Sequence, residues 1–91
     1  MTLVYIATPY SHELAEVRES RYNQAIECCH HAMAQGWTPV SPIVMYHPVA
    51  SMFKMHTDAE TWWKHCASLL VNCKALVIYR LDGWDTSVGI S

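Results

Sequence analysis

The chain has 91 residues, 52% of them hydrophobic and 15% charged, with six Lys and Arg against eight Asp and Glu and a net charge of −2. So short a chain forms one domain, and so apolar a chain is not a disordered segment. With no basic run there is no electrostatic footprint of a duplex nucleic-acid binder, and no apolar run reaches the roughly 18 residues of a membrane span, so a cytoplasmic protein is expected.

Leu3-Val4-Tyr5-Ile6-Ala7 is a β-branched and aromatic run that stops at Thr8-Pro9-Tyr10-Ser11, where proline cannot continue a central ladder. It predicts a buried first strand followed by a loop. From about Ala15 to Gln35 the residues Val17, Tyr22, Ala25, Ile26, Cys29, Ala32 and Met33 recur at three and four, with Glu16, Glu19, Glu27 and Gln35 on the other face. One long amphipathic helix is expected, stopped by Gly36 in the left-handed conformation. Trp37-Thr38-Pro39-Val40 predicts a short second strand entering Ser41-Pro42.

Ile43 to Thr57 is rich in Met, His and Pro and has no strict period, which predicts a covering loop with one short helix around Val49 to Phe53. Asp58 or Thr57 is expected to cap a second long helix, on which Trp62, Trp63, Cys66, Leu69, Leu70 and Cys73 fall at helical spacing. Ala75-Leu76-Val77-Ile78-Tyr79 is apolar throughout, as a parallel strand buried on both faces would be, and Leu81-Asp82-Gly83-Trp84 turns away from it. The βαβαβ order predicts an α/β fold with a parallel sheet and right-handed crossovers.

In such sheets ligands bind beyond the carboxyl ends of the strands. Polar and aromatic residues gather at all three of these ends: Thr8 to His12, Ser41 to His47, and Arg80 to Gly89. Taken singly, each is ordinary turn chemistry; together they mark a candidate site. Asp85-Thr86-Ser87-Val88-Gly89 stands where a following helix would begin, so Ser87 and Gly89 offer a hydroxyl and backbone N–H groups to a phosphate or sugar oxygen. Arg18 and Arg21 are neighbours near the start of the first helix, placed either to reach an anion above the sheet or to form a solvated face with Glu16 and Glu19. Tyr5, Tyr10, Tyr46, Trp62, Trp63 and Trp84 offer planes for stacking on a base, although a small sheet protein needs most of its aromatics for core or interface.

The four cysteines include no CxxC pair, which predicts reduced and mostly buried thiols. Cys28-Cys29-His30-His31 are consecutive, and consecutive helical residues fan around the axis instead of converging on an ion. No metal and no cofactor is predicted.

Tyr5-Ile6-Ala7-x-Pro9-Tyr10, Ser41-Pro42 with His47-Pro48, the tryptophan-bearing helix ending Leu69-Leu70-x-x-Cys73, and Gly83-Trp84-Asp85-x-Ser87-x-Gly89 occur in an order that resembles the nucleoside 2-deoxyribosyltransferase-like superfamily, in particular a short bacterial and phage branch of it. The resemblance covers essentially the whole chain. It implies a flavodoxin-like fold with a nucleoside or nucleotide pocket, and, in the enzymes, cleavage of the bond between sugar and base. It implies ligand-binding roles for Thr8, Pro9, Tyr10, Arg18, Arg21, Ser41, His47, Trp84, Asp85, Ser87 and Gly89.

The chain departs from that pattern where the chemistry is done. The enzymes' nucleophilic glutamate follows the Ser-x-Gly turn, whereas this sequence runs to Ile90-Ser91 without one. Cys66 aligns with the carboxylate that positions the sugar, and Lys74 with an acid before the last strand. Loss of a carboxylate from glycoside chemistry costs several powers of ten in rate, while binding contacts survive it. Three readings stand: a nucleotide-binding protein that holds a signalling nucleotide without cleaving it; an N-glycoside hydrolase or deoxyribosyltransferase acting on a nucleoside or nucleoside monophosphate, with Asp85 or a residue of a neighbouring subunit as nucleophile; and a structural or assembly fragment whose sheet only makes an interface.

A three-stranded sheet with two long helices leaves apolar surface uncovered, so a homo-oligomer is expected. Sedimentation at tens of micromolar should show a dimer or larger species; a clean monomer removes the expectation.

Overall fold

The computed structural model describes residues 2–55 and 59–84, so the cap expected at Thr57 or Asp58 lies outside the described residues. The elements run β1 (Leu3–Ala7), α1 (Ala15–Ala34), β2 (Thr38–Val40), α2 (Pro42–Met52), α3 (Ala59–Leu70) and β3 (Ala75–Ile78). The strands form one sheet in the order β2-β1-β3, parallel throughout, with Leu3 opposite Thr38 and Val4 opposite Ala75. This is the parallel α/β sheet that the βαβαβ order predicts, and it is consistent with the flavodoxin-like fold that the resemblance implies.

The central strand has a helix on each side. Val4 and Ile6 point to the α1 face, where they pack with Cys28 and Ala32 and are ringed by Trp37, Val77, Tyr79 and Leu81. Tyr5 points the other way, with its hydroxyl against the Cys66 thiol on α3. Alternation at period two therefore sends successive residues of one strand to two different helices. Because the chain passes from β1 to β2 on one side and then to β3 on the other, the connections diverge between β1 and β3, the switch point beside which ligands bind in open α/β sheets.

Helix α1 ends as Gly36 predicts. Gly36 lies at φ +84, its N–H donates to the Met33 carbonyl at 3.0 Å, and the Trp37 N–H donates to the Ala32 carbonyl at 3.1 Å. Those two bonds satisfy carbonyls that the helix itself leaves open and turn Trp37 back onto the core. Small residues set the packing distance: Ala25, Cys28 and Ala32 are the buried positions of α1. Ile26 and Met33, expected on the core face, are instead exposed. The helix sits close to the sheet on its small side chains, and the larger ones beside them turn outward.

The expected loop at 43–57 is a helix for most of its length. Ser41 caps α2, its hydroxyl accepting from the Val44 N–H at 3.3 Å, and Pro42 takes the first helical position, where a missing N–H costs nothing. Pro48 inside the helix forfeits one backbone bond, and the helix continues past it to Met52. Mixed polarity hid this helix from a periodicity reading, because α2 packs between α1 and α3 and is covered on more than one side.

β3 also differs from expectation. It is an edge strand among the described residues, and Leu76 and Ile78 remain 50% and 42% exposed. A continuous apolar run does not distinguish a strand covered on both faces from one covered on the α1 face alone.

The thiols are unpaired and protonated. Burial raises all four, and Cys28 is pushed up to about 11 by burial and then by Cys29 and Glu27.

Helix α2 closes on Lys54, a non-glycine residue at φ 51, with the Met55 N–H donating to the Ala50 carbonyl at 2.9 Å. A side chain in this left-handed conformation costs about 1–2 kcal/mol. Lys54→Gly should therefore raise the urea midpoint by the equivalent of about 1 kcal/mol; an unchanged or lower midpoint contradicts this account of the helix end.

Candidate functional site

The site forms where the chain leaves β1. Thr8 and Pro9 are still buried after the ladder has ended, so polar groups of this segment need partners that the sheet does not supply. Two guanidiniums of α1 supply them. Arg18 donates to the His12 carbonyl and Arg21 to the Ser11 carbonyl, the latter at 2.7 Å. Their spacing of three puts both on the face of α1 beneath the loop. Both arginines are thus engaged with backbone oxygens, and Glu19, one of their expected carboxylate partners, pairs elsewhere.

Arg21 also meets the turn after β3. Gly83 lies at φ +86, and a Cβ there would collide with the Arg21 guanidinium. Arg21 therefore lies between the exits of β1 and β3. Beside it, the Arg80 guanidinium sits 5.0 Å above the Trp84 ring, so a cation already covers a face of that indole. Asp85, Ser87 and Gly89, expected to complete this corner, lie outside the described residues.

His47 is the centre of a second cluster. Its Nε2 is 2.6 Å from Glu19 Oε2 and 3.3 Å from Ser51 Oγ, and its Nδ1 is 2.8 Å from the Tyr10 hydroxyl. Tyr22 stacks on the ring at 4.4 Å, and Tyr10 meets it edge-on. An ionised carboxylate only accepts, so Nε2 donates to Glu19, while Nδ1 shares the second hydrogen bond with the Tyr10 hydroxyl. The Arg18 guanidinium lies near the same hydroxyl. Tyr10, His47 and Glu19 thus form one hydrogen-bonded chain with Arg18 beside its tyrosine end. Burial raises the Tyr10 hydroxyl above its ordinary range, with Arg18 pulling it down and Glu19 pushing it up. Tyr10 is therefore a neutral hydroxyl and not a phenolate.

The predicted residues divide accordingly. Thr8, Pro9, Arg21 and Trp84 lie at the exits of β1 and β3, and Tyr10 and His47 belong to the chain just described, with Arg18 beside it. Ser41 is the cap of α2, with its hydroxyl given to that role. Glu19, Tyr22 and Ser51 were not expected to contribute. Ser51 lies four residues beyond His47, a spacing that places both on one face once residues 42–52 are a helix.

One atom stands apart. Thr8 is 3% exposed, and its Oγ1 has no hydrogen-bond partner among the described residues. A buried hydroxyl without a partner costs about 1–3 kcal/mol. It lies at the carboxyl end of the central strand. Among the described residues no three His, Cys, Asp or Glu side chains converge as a metal site would require. No described helix is long and apolar enough to cross a membrane.

A family model described as "Domain of unknown function (DUF1937)" matches residues 2–91. The chain belongs to the DUF1937 family. No curated protein matches it. In this DUF1937 chain Cys66 lies against Tyr5 on the α3 face of the sheet. Burial raises both groups, which leaves a neutral pair there.

The two ends of the His47 chain predict different costs. His47 is 7% exposed and its removal strands a half-buried tyrosine hydroxyl, whereas the Glu19 side chain is 59% exposed and its ion pair is screened by water. In urea unfolding His47→Ala should lose about 2–4 kcal/mol, and Glu19→Gln less than about 1 kcal/mol. Equal losses would mean that the pair, not the imidazole, holds α2 to α1.

Proposed function

We propose that this DUF1937 chain binds a nucleotide or nucleotide-derived ligand beside the switch point at the carboxyl ends of β1 and β3 and holds it intact, as a protein that sequesters a signalling nucleotide would. The observation that carries this reading is the buried, unpartnered Thr8 hydroxyl. A polar group kept dry and unpaired costs stability in the free protein, and a sugar or phosphate oxygen arriving there gives it a partner. Arg18 and Arg21 add positive charge at the same end of the sheet, with guanidinium donors beyond those given to the loop carbonyls. The resemblance of the Tyr5–Tyr10 and Gly83–Gly89 segments to nucleoside 2-deoxyribosyltransferase-like proteins supports the same ligand class.

Holding is favoured over cleaving by the residues on hand. Glycoside cleavage needs carboxylates poised at the anomeric carbon. Glu19 is committed to His47, and the position aligned with the sugar-positioning acid is the neutral Cys66.

Thr8→Val tests the reading because it predicts opposite signs in two measurements. Removing an unpaired hydroxyl at constant shape should leave the free protein as stable or more stable, by up to about 1–3 kcal/mol. In calorimetry with adenosine monophosphate, cyclic adenosine monophosphate and adenosine diphosphate ribose, the same change should weaken binding about tenfold, the cost of one lost hydrogen bond. Chromatography should return the ligand unchanged. No heat with any of the three would overturn the proposal, and free base in the eluate would make the protein an N-glycoside hydrolase.

A further inference from the structure

We infer that α2 pairs with α2 of a second copy of this chain, antiparallel about a two-fold axis between Pro48 and Val49, through a stripe of apolar side chains on its outer face. The contact does not depend on the nucleotide reading, and it gives the expected homo-oligomer a place on the fold.

α2 is anchored on two sides. His47 joins it to α1 and to the loop after β1, and Tyr46 stacks on Trp62 of α3 at 5.5 Å. Away from these contacts it carries Met45, Pro48, Val49, Met52 and Phe53, every one of them exposed, Met52 and Phe53 at 77% and 70%. Steps of three and four link all five, which is the spacing of a single helix face. Phe53 lies just past the helix and keeps to this face, because its N–H still donates to the Val49 carbonyl, at 3.1 Å. A surface helix ordinarily turns such a stripe to its own core and polar side chains to water. α2 turns apolar residues both ways, and no residue from 42 to 52 is Asp, Glu, Lys or Arg.

At these exposures the stripe presents on the order of 500 Å² of apolar surface, near the upper end of the range for the largest patch on a single-chain protein. A stable pair buries about 800 Å² on each partner. The stripe supplies the apolar centre of such a contact, with Lys54 and Met55, both exposed, at its rim.

Charge selects the occupant. A two-fold contact sets a surface against itself, which repels wherever that surface is charged. A stripe without charge meets its own copy at no such cost. A different protein is steered and aligned by opposite charges, and a bilayer surface holds a helix through Lys and Arg beside its apolar face; α2 has neither. β3, which also exposes apolar side chains, is poorer for pairing with itself. Leu76 and Ile78 are flanked by Lys74 and Arg80, so an antiparallel pair centred on Val77 brings Lys74 to Arg80 of the second copy, cation against cation.

Pairing about the proposed axis sets Met45 of each copy opposite Met52 of the other. Sedimentation equilibrium of the full chain, from micromolar to hundreds of micromolar, should show a dimer. Met45→Lys and Met52→Glu, both on exposed side chains, should keep the circular dichroism of the unsubstituted protein and each weaken the dimer at least about tenfold. An equimolar mixture of these two variants should regain it, because the substituted positions then face each other with opposite charges. Leu76→Lys should leave the dimer unchanged. The urea midpoint should rise with protein concentration in the unsubstituted chain and not in Met52→Glu. A monomer at every concentration overturns the inference, and flotation of that monomer with vesicles of phosphatidylcholine and phosphatidylglycerol would give the stripe to a membrane. A dimer that survives Met52→Glu also overturns it, and its loss in Leu76→Lys would move the contact to β3. A mixture that stays monomeric overturns the antiparallel pairing.

Discussion

The constraint on which the site depends is the way β1 ends. The central strand of a three-stranded sheet is the best-covered stretch of the molecule, and here the cover continues over Thr8 and Pro9 after the ladder has run out. Proline removes one N–H from the problem, and the remaining backbone and side-chain groups must find partners outside the sheet. The chain solves this with long side chains reaching from α1. Two guanidiniums take the carbonyls of Ser11 and His12, and the imidazole of α2 takes the Tyr10 hydroxyl.

These contacts bring together parts of the chain that are distant in sequence. Tyr10 and His47 are 37 residues apart and Glu19 and His47 are 28 apart, so the cluster joins the loop after β1, α1 and α2 at one point. Much of the cost of such long closures is borne by the sheet and its crossovers, which already bring α1 and α2 side by side. The cluster adds orientation. A buried imidazole stacked on Tyr22 and bonded at both nitrogens fixes the ring plane and thereby the direction of the tyrosine hydroxyl. The position of one hydroxyl is therefore set by a cluster of side chains. Thr8, two residues earlier, has no such support among the described residues.

Much of this fold is legible in the sequence because its main elements follow strong local rules. The β-branched run of β1, the spacing of α1 and the glycine after it all point to the structure that forms, down to the left-handed φ of Gly36. α2 was obscured by its composition, since methionine, histidine and two prolines within eleven residues suppress any period. Its real signal is the Ser41-Pro42 pair, a cap followed by proline at the first helical position. β3 shows a different limit. Its apolar residues report that it is a strand, but coverage is a property of neighbours, and an edge strand has a neighbour on one side only.

The candidate site divides in the same way. Tyr10, His47 and Arg18 stand out in sequence as polar or aromatic residues at strand ends or at the start of a helix, whereas their connection requires α2 to be a helix and places Ser51 beneath the ring. Glu19 carries no such mark, because glutamates on an amphipathic helix are ordinarily solvated. What makes Glu19 different is its partner and not its position on α1.

Tyr5 and Tyr10 show how one segment assigns two tyrosines to opposite tasks. Tyr5 lies within the strand, faces α3 and ends on the Cys66 thiol, where burial keeps both groups neutral. A carboxylate in place of Cys66 would be desolvated against the same tyrosine, with burial opposing its ionisation. A thiol at this position removes that cost together with any negative charge toward the sheet. Tyr10 lies past the strand, faces α1 and α2, and ends on an imidazole that can change its charge. One segment thus places a neutral pair against α3 and a hydrogen-bonded imidazole between α1 and α2, a division set by the alternation within β1 and by the point at which the strand ends.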